Sequence, residues 1–305
     1  MNIELGKLDT EKRNVNSMKI DTLSTSEMVE LINTEDHRCA EAVKAVLPQV
    51  AQSIDVIYEK LHNGGRLFYC GAGTSGRLGV LDAAECPPTY GVDPDVVIGL
   101  IAGGEKALLT AVEGAEDNAD LGASDLKEHS FSENDVLVGI AASGRTPYVI
   151  GAMEYAKMLG APVIAIVCCN NSKMSEVAHI TIAAVPGPEV ITGSSRMKSG
   201  TCQKMILNMI STSVMIKLGK VFGNLMVDVK ANNQKLVQRA ISIVCTATGE
   251  DEKLVKETLE KCDYHCKTAI VMLISDIDAD EAKRLLNKTD GHIAKAIKKH
   301  TGENL

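Results

Sequence analysis

Tryptophan is absent from this chain, and aromatic residues make up only 3% of its 305 residues. Aromatic platforms for stacking nucleobases or sugar rings are therefore scarce. Positive charge is also in deficit, because 32 Lys and Arg face 40 Asp and Glu and the net charge is -8. A nucleic-acid partner needs a basic face, so the composition argues against one.

Long apolar runs are missing as well. None reaches the ~20 residues that a transmembrane helix requires. The opening stretch MNIELGKLDTEKRN has no apolar segment of the kind found in signal peptides. The nine cysteines are scattered and odd in number, as is typical of reduced thiols. We therefore expect a cytoplasmic protein without a membrane partner.

Short apolar runs alternate with helix-like segments from Arg66 onward. The five runs are RLFYCGA, DVVIGLIA, DVLVGIAA, PVIAIVCC and HITIAAV. Helix-like stretches lie between them, near 75–84, 105–127, 146–159 and 172–177. Continuous apolar strands separated by helices indicate a parallel sheet covered on both faces. The sequence predicts an α/β fold with a doubly wound five-stranded parallel sheet.

Helical patterns flank this region on both sides, so we predict three parts: an N-terminal helical arm at 1–64, the α/β domain at 65–225 and a small helical bundle at 235–305. In the arm, apolar residues recur at steps of three and four from Ala40 to Leu61 and predict one helix over about 36–62. The length of this stripe leads us to expect a homodimer.

Three loops combine Ser or Thr with a small and a basic residue. The first two follow the first and third apolar runs, and the third precedes a long apolar helix. Their candidate phosphate-binding residues are Gly73, Thr74, Ser75 and Arg77; Ser143, Arg145 and Thr146; and Ser194, Ser195, Arg196 and Lys198. A single Ser or Thr before a helix is usually only an N-cap. Three such loops, two of them directly after parallel strands, where ligands bind, indicate a phosphate site.

The first loop also satisfies the dinucleotide pattern G-x-G-x-x-G with Gly71, Gly73 and Gly76. A nicotinamide site would need an acidic residue at the end of the second strand. Here Asp93 and Asp95 precede that strand. The hydroxyls favour a small phosphorylated ligand instead.

Candidate acid and base groups are glutamates. Glu85 comes just before Pro87 and Pro88, which we expect to end its helix. Glu113 and Glu116 are three residues apart, as if on one helical face. Two carboxylates can divide acid and base roles. The cysteines and histidines form no paired set with metal-ligand spacing, so we expect no metal.

The segments GAGTSGRLGVLDAAECPPTYG, EGAEDN, SGRTPYV and TGSSRMKSGT together resemble the N-acetylmuramic acid 6-phosphate etherase family, a group of the sugar isomerase (SIS) phosphosugar-binding fold. The similarity extends from LDTEKRN to GHIAKAI. Glucokinase regulatory proteins are similar too, but they are longer and have two SIS domains.

The resemblance implies cleavage of the D-lactyl ether at C3 of the phosphorylated sugar, giving N-acetylglucosamine 6-phosphate and D-lactate. It implies that Glu85, in AAECPPT, is the proton donor, and that Glu116, in EGAED, is the second active-site carboxylate. We add Glu189, in GPEVITGSSRMKSGT, to the residues expected to bind substrate, and we expect no cofactor. The C-terminal bundle is expected to be UBA-like.

Two alternatives remain open from the residues. An aldose–ketose isomerase of the same fold would use a glutamate at C2 but would need no acid for a leaving group at C3. A non-catalytic sugar-phosphate sensor would keep the loops, and a transcriptional form would need a basic helix-turn-helix, which the acidic N-terminal region lacks. Release of D-lactate from the substrate distinguishes the etherase from both.

Overall fold

A computed structural model describes residues 11–229 and 234–302. The start of the predicted N-terminal arm, residues 1–10, lies outside the described residues. The contacts divide the chain into two units. The first unit comprises residues up to Ala84 together with Pro94–Ser211, and the second comprises Glu85–Asp93 together with the residues from Thr212 onward.

The first unit is built on a five-stranded parallel sheet, as predicted. Its strands are β1 (Leu67–Gly71), β2 (Val97–Ile101), β3 (Val136–Ile140), β4 (Val163–Val167) and β5 (Ile180–Ala183). Their order is β2-β1-β3-β4-β5, and Leu67 pairs with both Val97 and Val136. Every residue of β1, β3 and β4 is buried, which explains their uninterrupted apolar sequences.

Helices flank this sheet. They are α1 (Thr25–Lys44), α2 (Leu47–His62), α3 (Gly73–Tyr90), α4 (Lys106–Leu109), α5 (Ala119–Glu128), α6 (Pro147–Met158), α7 (Lys173–Val177) and α8 (Lys198–Lys217). Helices α3 and α8 begin in the first unit and end in the second. The core between sheet and helices includes Phe68, Leu137, Tyr148 and Met153, all fully buried.

The prediction of a single helix over 36–62 is wrong, because the structure has two helices with a break after Lys44. Pro48 has no N–H to donate to the Lys44 carbonyl, and its ring excludes that carbonyl. Pro48 instead occupies the first turn of α2, where a proline is tolerated. Val50 and Ile57 of the apolar stripe are buried within this chain, so most of the stripe is not available to a partner.

The second unit is largely helical, as expected for the C-terminal region. Its helices are α9 (Gln234–Thr248), α10 (Glu252–Glu260), α11 (Cys266–Ser275), α12 (Ala279–Asn287) and α13 (Ile293–Thr301). A short hairpin, β6 (Val221–Phe222) and β7 (Leu225–Met226), precedes them and was missed from the sequence. Its turn is Gly223-Asn224, a pair typical of tight hairpins.

No helix within the described ranges is both long and apolar enough to cross a membrane. All nine cysteines lie in these ranges, and each is a free thiol.

Candidate functional site

The sheet order reverses between β1 and β3, which are adjacent although β2 lies between them in sequence. In open α/β sheets the crevice beyond such a reversal is where ligands bind. Ala72–Ser75 follow β1, and Ala141–Ser143 follow β3, so both loops lie at the same edge.

A cavity of about 250 Å³ occupies this edge, and we call it the hydroxyl cavity. Its lining is Glu11, Ala72, Gly73, Thr74, Ser75, Glu116, Ala141, Ala142, Ser143, Thr146 and Ser195. The structure therefore brings together hydroxyls from all three predicted loops. Among the residues that the structure describes, no lysine or arginine lines this cavity. An anion there would rely on hydroxyls and on the backbone N–H groups at the start of α3.

Ser75 is held in position by a residue that the sequence did not reveal. Its Oγ donates to Oε1 of Gln203 at 2.9 Å, and the two residues are 8% and 1% exposed. The Gln203 Nε2 is buried and has no hydrogen-bond partner among the described residues. Turning this amide over would let Nε2 donate to Ser75, which would free the serine proton for a ligand.

A second cavity of about 190 Å³, the glutamate cavity, adjoins the first, since both are lined by Ala72, Gly73 and Glu116. Glu113 and Arg77 also line it. Arg77 was predicted to bind phosphate, but in the structure its guanidinium also forms hydrogen bonds within the protein. Its Nε and Nη2 donate to the carbonyls of Leu108 and Ala107 at 2.9 and 2.7 Å and so fasten α4.

Glu113 and Glu116 do not share a helical face, contrary to the prediction. The predicted helix over 105–127 is interrupted, with α4 ending at Leu109 and α5 starting at Ala119. Gly114 has a φ of 75° between the two glutamates, which breaks any helix there. Glu116 lies in a short 3₁₀ turn, and its side chain is in an exposed position on the shared wall.

Lys198 and Glu189 are not found on either cavity wall. The Lys198 ammonium is fully buried and is paired with Glu35 at 2.5 Å. Glu189, also fully buried, accepts the backbone N–H groups of Lys198 and Ser199 at 2.9 Å and so caps α8. Both residues act inside the protein, where they fix the loop that presents Ser195.

Three other predicted residues lie on the three predicted loops but not on the cavity walls. Ser194 and Arg196 are on the third loop, and Arg196 is exposed. Arg145 follows β3, and its Nε is buried without a hydrogen-bond partner among the described residues. All three predicted loops contribute residues to the hydroxyl cavity, but which of their side chains reach it depends on the tertiary structure.

Glu85 is exposed and lies within α3 rather than at its end. The expected break at Pro87 and Pro88 is wrong, since the helix continues through both to Tyr90. The carbonyls that the prolines leave unpaired are those of Ala83 and Ala84, and Ala84 is exposed, so water can bind there. Glu85 belongs to the second unit and does not line the hydroxyl or glutamate cavity.

Glu11 is a second residue that the sequence analysis missed. Within the described part of the chain, Glu11 and Glu116 are the two carboxylates that line the hydroxyl cavity. The Oε2 of Glu11 lies 3.1 Å from where a Cβ on Gly193 would be, next to the third loop. The segment LDTEKRN contains Glu11, but nothing in its pattern indicates that it reaches strands more than fifty residues away.

Across residues 11–229 and 234–302, no group of three or more His, Cys, Asp or Glu side chains is arranged to hold a metal ion.

Comparisons with known proteins agree with this geometry. Residues 49–157 match the family model of the glucokinase regulatory protein N-terminal SIS domain, and residues 122–213 match that of the SIS domain. A phosphoheptose isomerase from Neisseria gonorrhoeae superposes with a TM-score of 0.50 at 20% identity, over 63% of this chain and 98% of that one. That likeness shows the fold alone.

Relatives of similar length are much closer in sequence. N-acetylmuramic acid 6-phosphate etherase from Aliivibrio fischeri (strain MJ11) is 60% identical over 297 residues, which are 97% of this chain and 99% of that protein. The enzymes of that name from Klebsiella aerogenes and Clostridium beijerinckii are 56% and 55% identical, again over 97% of this chain and over 99% and 97% of their own length. With such identity over nearly its whole length, this chain belongs to the N-acetylmuramic acid 6-phosphate etherase family.

Proposed function

We propose that this protein binds N-acetylmuramic acid 6-phosphate at the hydroxyl and glutamate cavities and cleaves its D-lactyl ether. The observation that supports this is the convergence of hydroxyls from three separate loops with Glu116 in one cavity. The hydroxyls of Thr74, Ser75, Ser143, Thr146 and Ser195 bind the 6-phosphate. Sugar carbons C2 and C3 then lie toward the carboxylates.

The reaction is an elimination followed by an addition. In the open-chain sugar, the C1 aldehyde acidifies the proton on C2, and Glu116 removes that proton. The electron pair forms the C2–C3 double bond as the C3–O bond breaks, and the departing lactate oxygen takes a proton from Glu85. Water then adds its oxygen to C3, giving its proton to Glu85, and C2 recovers a proton from Glu116.

Glu85 is assigned as the acid because the resemblance of AAECPPT to the family implies it. Glu11 is the other carboxylate that lines the hydroxyl cavity among the described residues. A carboxylate repels a phosphate, so Glu11 accepts hydrogen bonds from hydroxyl or amide N–H groups of the sugar instead.

We also propose a cytoplasmic homodimer. Leu109, between cavity-lining residues Ala107 and Ala111, is 93% exposed, which supports coverage of the cavity rim by a second subunit. Nine free thiols fit a reducing compartment. Sedimentation measures the oligomeric state, and a fully active monomer would contradict the homodimer.

Incubating the protein with N-acetylmuramic acid 6-phosphate and assaying D-lactate tests the reaction directly. We expect D-lactate and N-acetylglucosamine 6-phosphate in equal amounts. Conversion to an isomeric sugar phosphate without lactate would favour the isomerase, and binding without turnover would favour the sensor.

A further inference from the structure

The second unit contains a cavity of about 480 Å³, larger than either cavity of the candidate active site. We call it the lysine cavity, and its polar lining includes Lys220, Asp228, Tyr264, His265, Lys267 and Asn287. Its volume falls in the range of about 300–1,000 Å³ that is usual for small-molecule sites. The etherase reaction proposed above uses none of these residues.

Two ammonium groups in this cavity share one carboxylate oxygen. The Oδ2 of Asp228 lies 2.7 Å from Lys267 Nζ and 3.0 Å from Lys220 Nζ. The Lys267 side chain is only 7% exposed, and that of Lys220 is 24% exposed. One carboxylate balances one of the two charges, so the cluster has a surplus positive charge at the cavity wall.

Among the described residues, no carboxylate other than Asp228 is paired with either lysine. Asp263 lines the cavity, but it is exposed and forms no ion pair with either lysine in the described structure. Burial lowers the pKa of His265. The positive charges of Lys267, Lys283 and Lys220 lower it further, whereas Asp228 raises it. The Lys267 side chain is only 7% exposed, and a cation so little exposed is costly unless an anion balances it.

The backbone at the cavity has two further features of a ligand site. The ten-residue helix α11 starts beside it, with Lys267 in the first turn, so the positive end of the helix dipole adds to the two ammonium groups. Asp263 and Tyr264 line the cavity in consecutive left-handed conformations, with φ of 54° and 58°. A tyrosine rarely adopts this conformation, and such strain is concentrated at functional sites.

We propose that the lysine cavity binds a small organic oxyanion, a phosphate monoester or a carboxylate, through Lys220 and Lys267. Asp228 holds the two ammonium groups together, and the bound oxyanion supplies the missing negative charge. Both classes of anion are among the products of the etherase reaction, and the choice of organic probes below rests on that proposed function.

Lysine labelling read out by mass spectrometry tests the site in the full-length protein. The amines are acylated in the presence of increasing inorganic phosphate, N-acetylglucosamine 6-phosphate or D-lactate. We expect saturable protection of Lys220 by at least one probe, with no protection of Lys253, an exposed lysine of α10 in the same unit. Protection by phosphate compounds alone identifies a phosphate site, and protection by lactate alone identifies a carboxylate site.

Variants assign the binding to the cavity. Lys220→Met and Lys267→Met should each weaken binding of the protecting anion at least about tenfold, because each removes a charge-assisted hydrogen bond. Calorimetry measures this affinity. Lys253→Met should leave the affinity unchanged. Lys220 is the more exposed of the pair, so its variant should fold even if Lys267→Met does not, and thermal melting checks this.

The hydroxyl cavity is the competing phosphate site. The double variant Ser75→Ala/Ser195→Ala, which removes two of its hydroxyls, should therefore still show protection of Lys220 by the anion. Loss of protection in that variant, no protection by any probe, or unchanged affinity in Lys220→Met would overturn the proposal. Failure to release D-lactate would overturn the etherase reaction but would leave the labelling result intact.

Discussion

Lys198 and Glu35 form an ion pair from which water is almost excluded, with Nζ 2.5 Å from Oε2 and side-chain exposures of 0% and 2%. Two amides complete it, since Asn14 and Asn16 donate to the Glu35 oxygens at 2.8 Å each. The pair joins α1 to the start of α8, next to the loop with Ser195. A charge that the sequence analysis assigned to the substrate thus helps to hold the fold together.

Replacing one partner should therefore be costly. Lys198→Met leaves the buried Glu35 carboxylate with only the half-exposed Arg38, 3.7 Å away, as a counter-charge, and we expect a loss of about 3–5 kcal/mol of unfolding free energy. Urea denaturation measures it. Glu35→Gln/Lys198→Met should recover much of the loss, because both charges are then gone. Arg38→Met is the control, since Arg38 is half-exposed and 3.7 Å from Glu35, and should cost less than about 1 kcal/mol.

Acid should weaken the fold through the same carboxyl group. Burial tends to raise the pKa of Glu35, but hydrogen bonds from Lys198, Asn16 and Asn14 outweigh it and lower the pKa from 4.5 to about 2. Because folding lowers the pKa of Glu35, this carboxylate stabilises the folded protein at pH values above its pKa in the unfolded chain. This stability is lost as the pH falls from about 4.5 toward 2. The contribution is on the order of 3 kcal/mol. The unfolding free energy from urea denaturation should fall more steeply with decreasing pH in the wild type than in Glu35→Gln. The same pH dependence in both proteins would contradict the assignment of this effect to Glu35.

Phosphate recognition should depend on the hydroxyls of the hydroxyl cavity. Ser75→Ala and Ser195→Ala should each weaken the binding of N-acetylglucosamine 6-phosphate by about 1–3 kcal/mol, because an anion oxygen loses its hydrogen-bond donor. Calorimetry measures this, with the unphosphorylated sugar as the control ligand. Equal affinity of the wild type for the two sugars would refute the site.

The division of labour among the glutamates is resolved by proton NMR in deuterated solvent. Glu116→Gln should abolish exchange of the C2 proton, whereas Glu85→Gln should block lactate release and leave exchange measurable. Each loss should be roughly 10²–10⁴-fold. Glu11→Gln should mainly raise KM. Exchange that persists in Glu116→Gln and vanishes in Glu85→Gln would reverse the two roles, and blocked lactate release in Glu11→Gln alone would make Glu11 the acid.

Gly91 should not tolerate a side chain. It has a φ of 66°, and a Cβ there would lie 2.3 Å from the Asp228 carbonyl oxygen. Gly91→Ala should destabilise the protein by more than about 2 kcal/mol in urea denaturation. Gly249→Ala is the matched control in the same unit, with a φ of 79° and nothing within 4 Å of its Cβ position. Equal losses in the two variants would mean that backbone strain, and not the contact with Asp228, sets the cost.

The sequence by itself determined the sheet and the loops around the site. Runs such as DVLVGIAA predict buried parallel strands because both faces of such a sheet must be apolar, and β3 lies there. The hydroxyls of Thr74 and Ser143 were predicted because ligands bind where parallel strands end. Ser195 was predicted because its loop has the same combination of hydroxyl, small and basic residues. All three residues line one cavity.

Only the tertiary structure decided how the charged side chains are used. A sequence shows that Lys198 and Arg77 are near the loops, but a long side chain can turn to any neighbour within reach, and here those neighbours are Glu35 and the α4 carbonyls. Glu11 reaches the cavity through the fold of the N-terminal segment, which no local pattern specifies. Local periodicity fixes which backbone segments form strands and helices, whereas the partner of each charge depends on contacts between residues far apart in the chain.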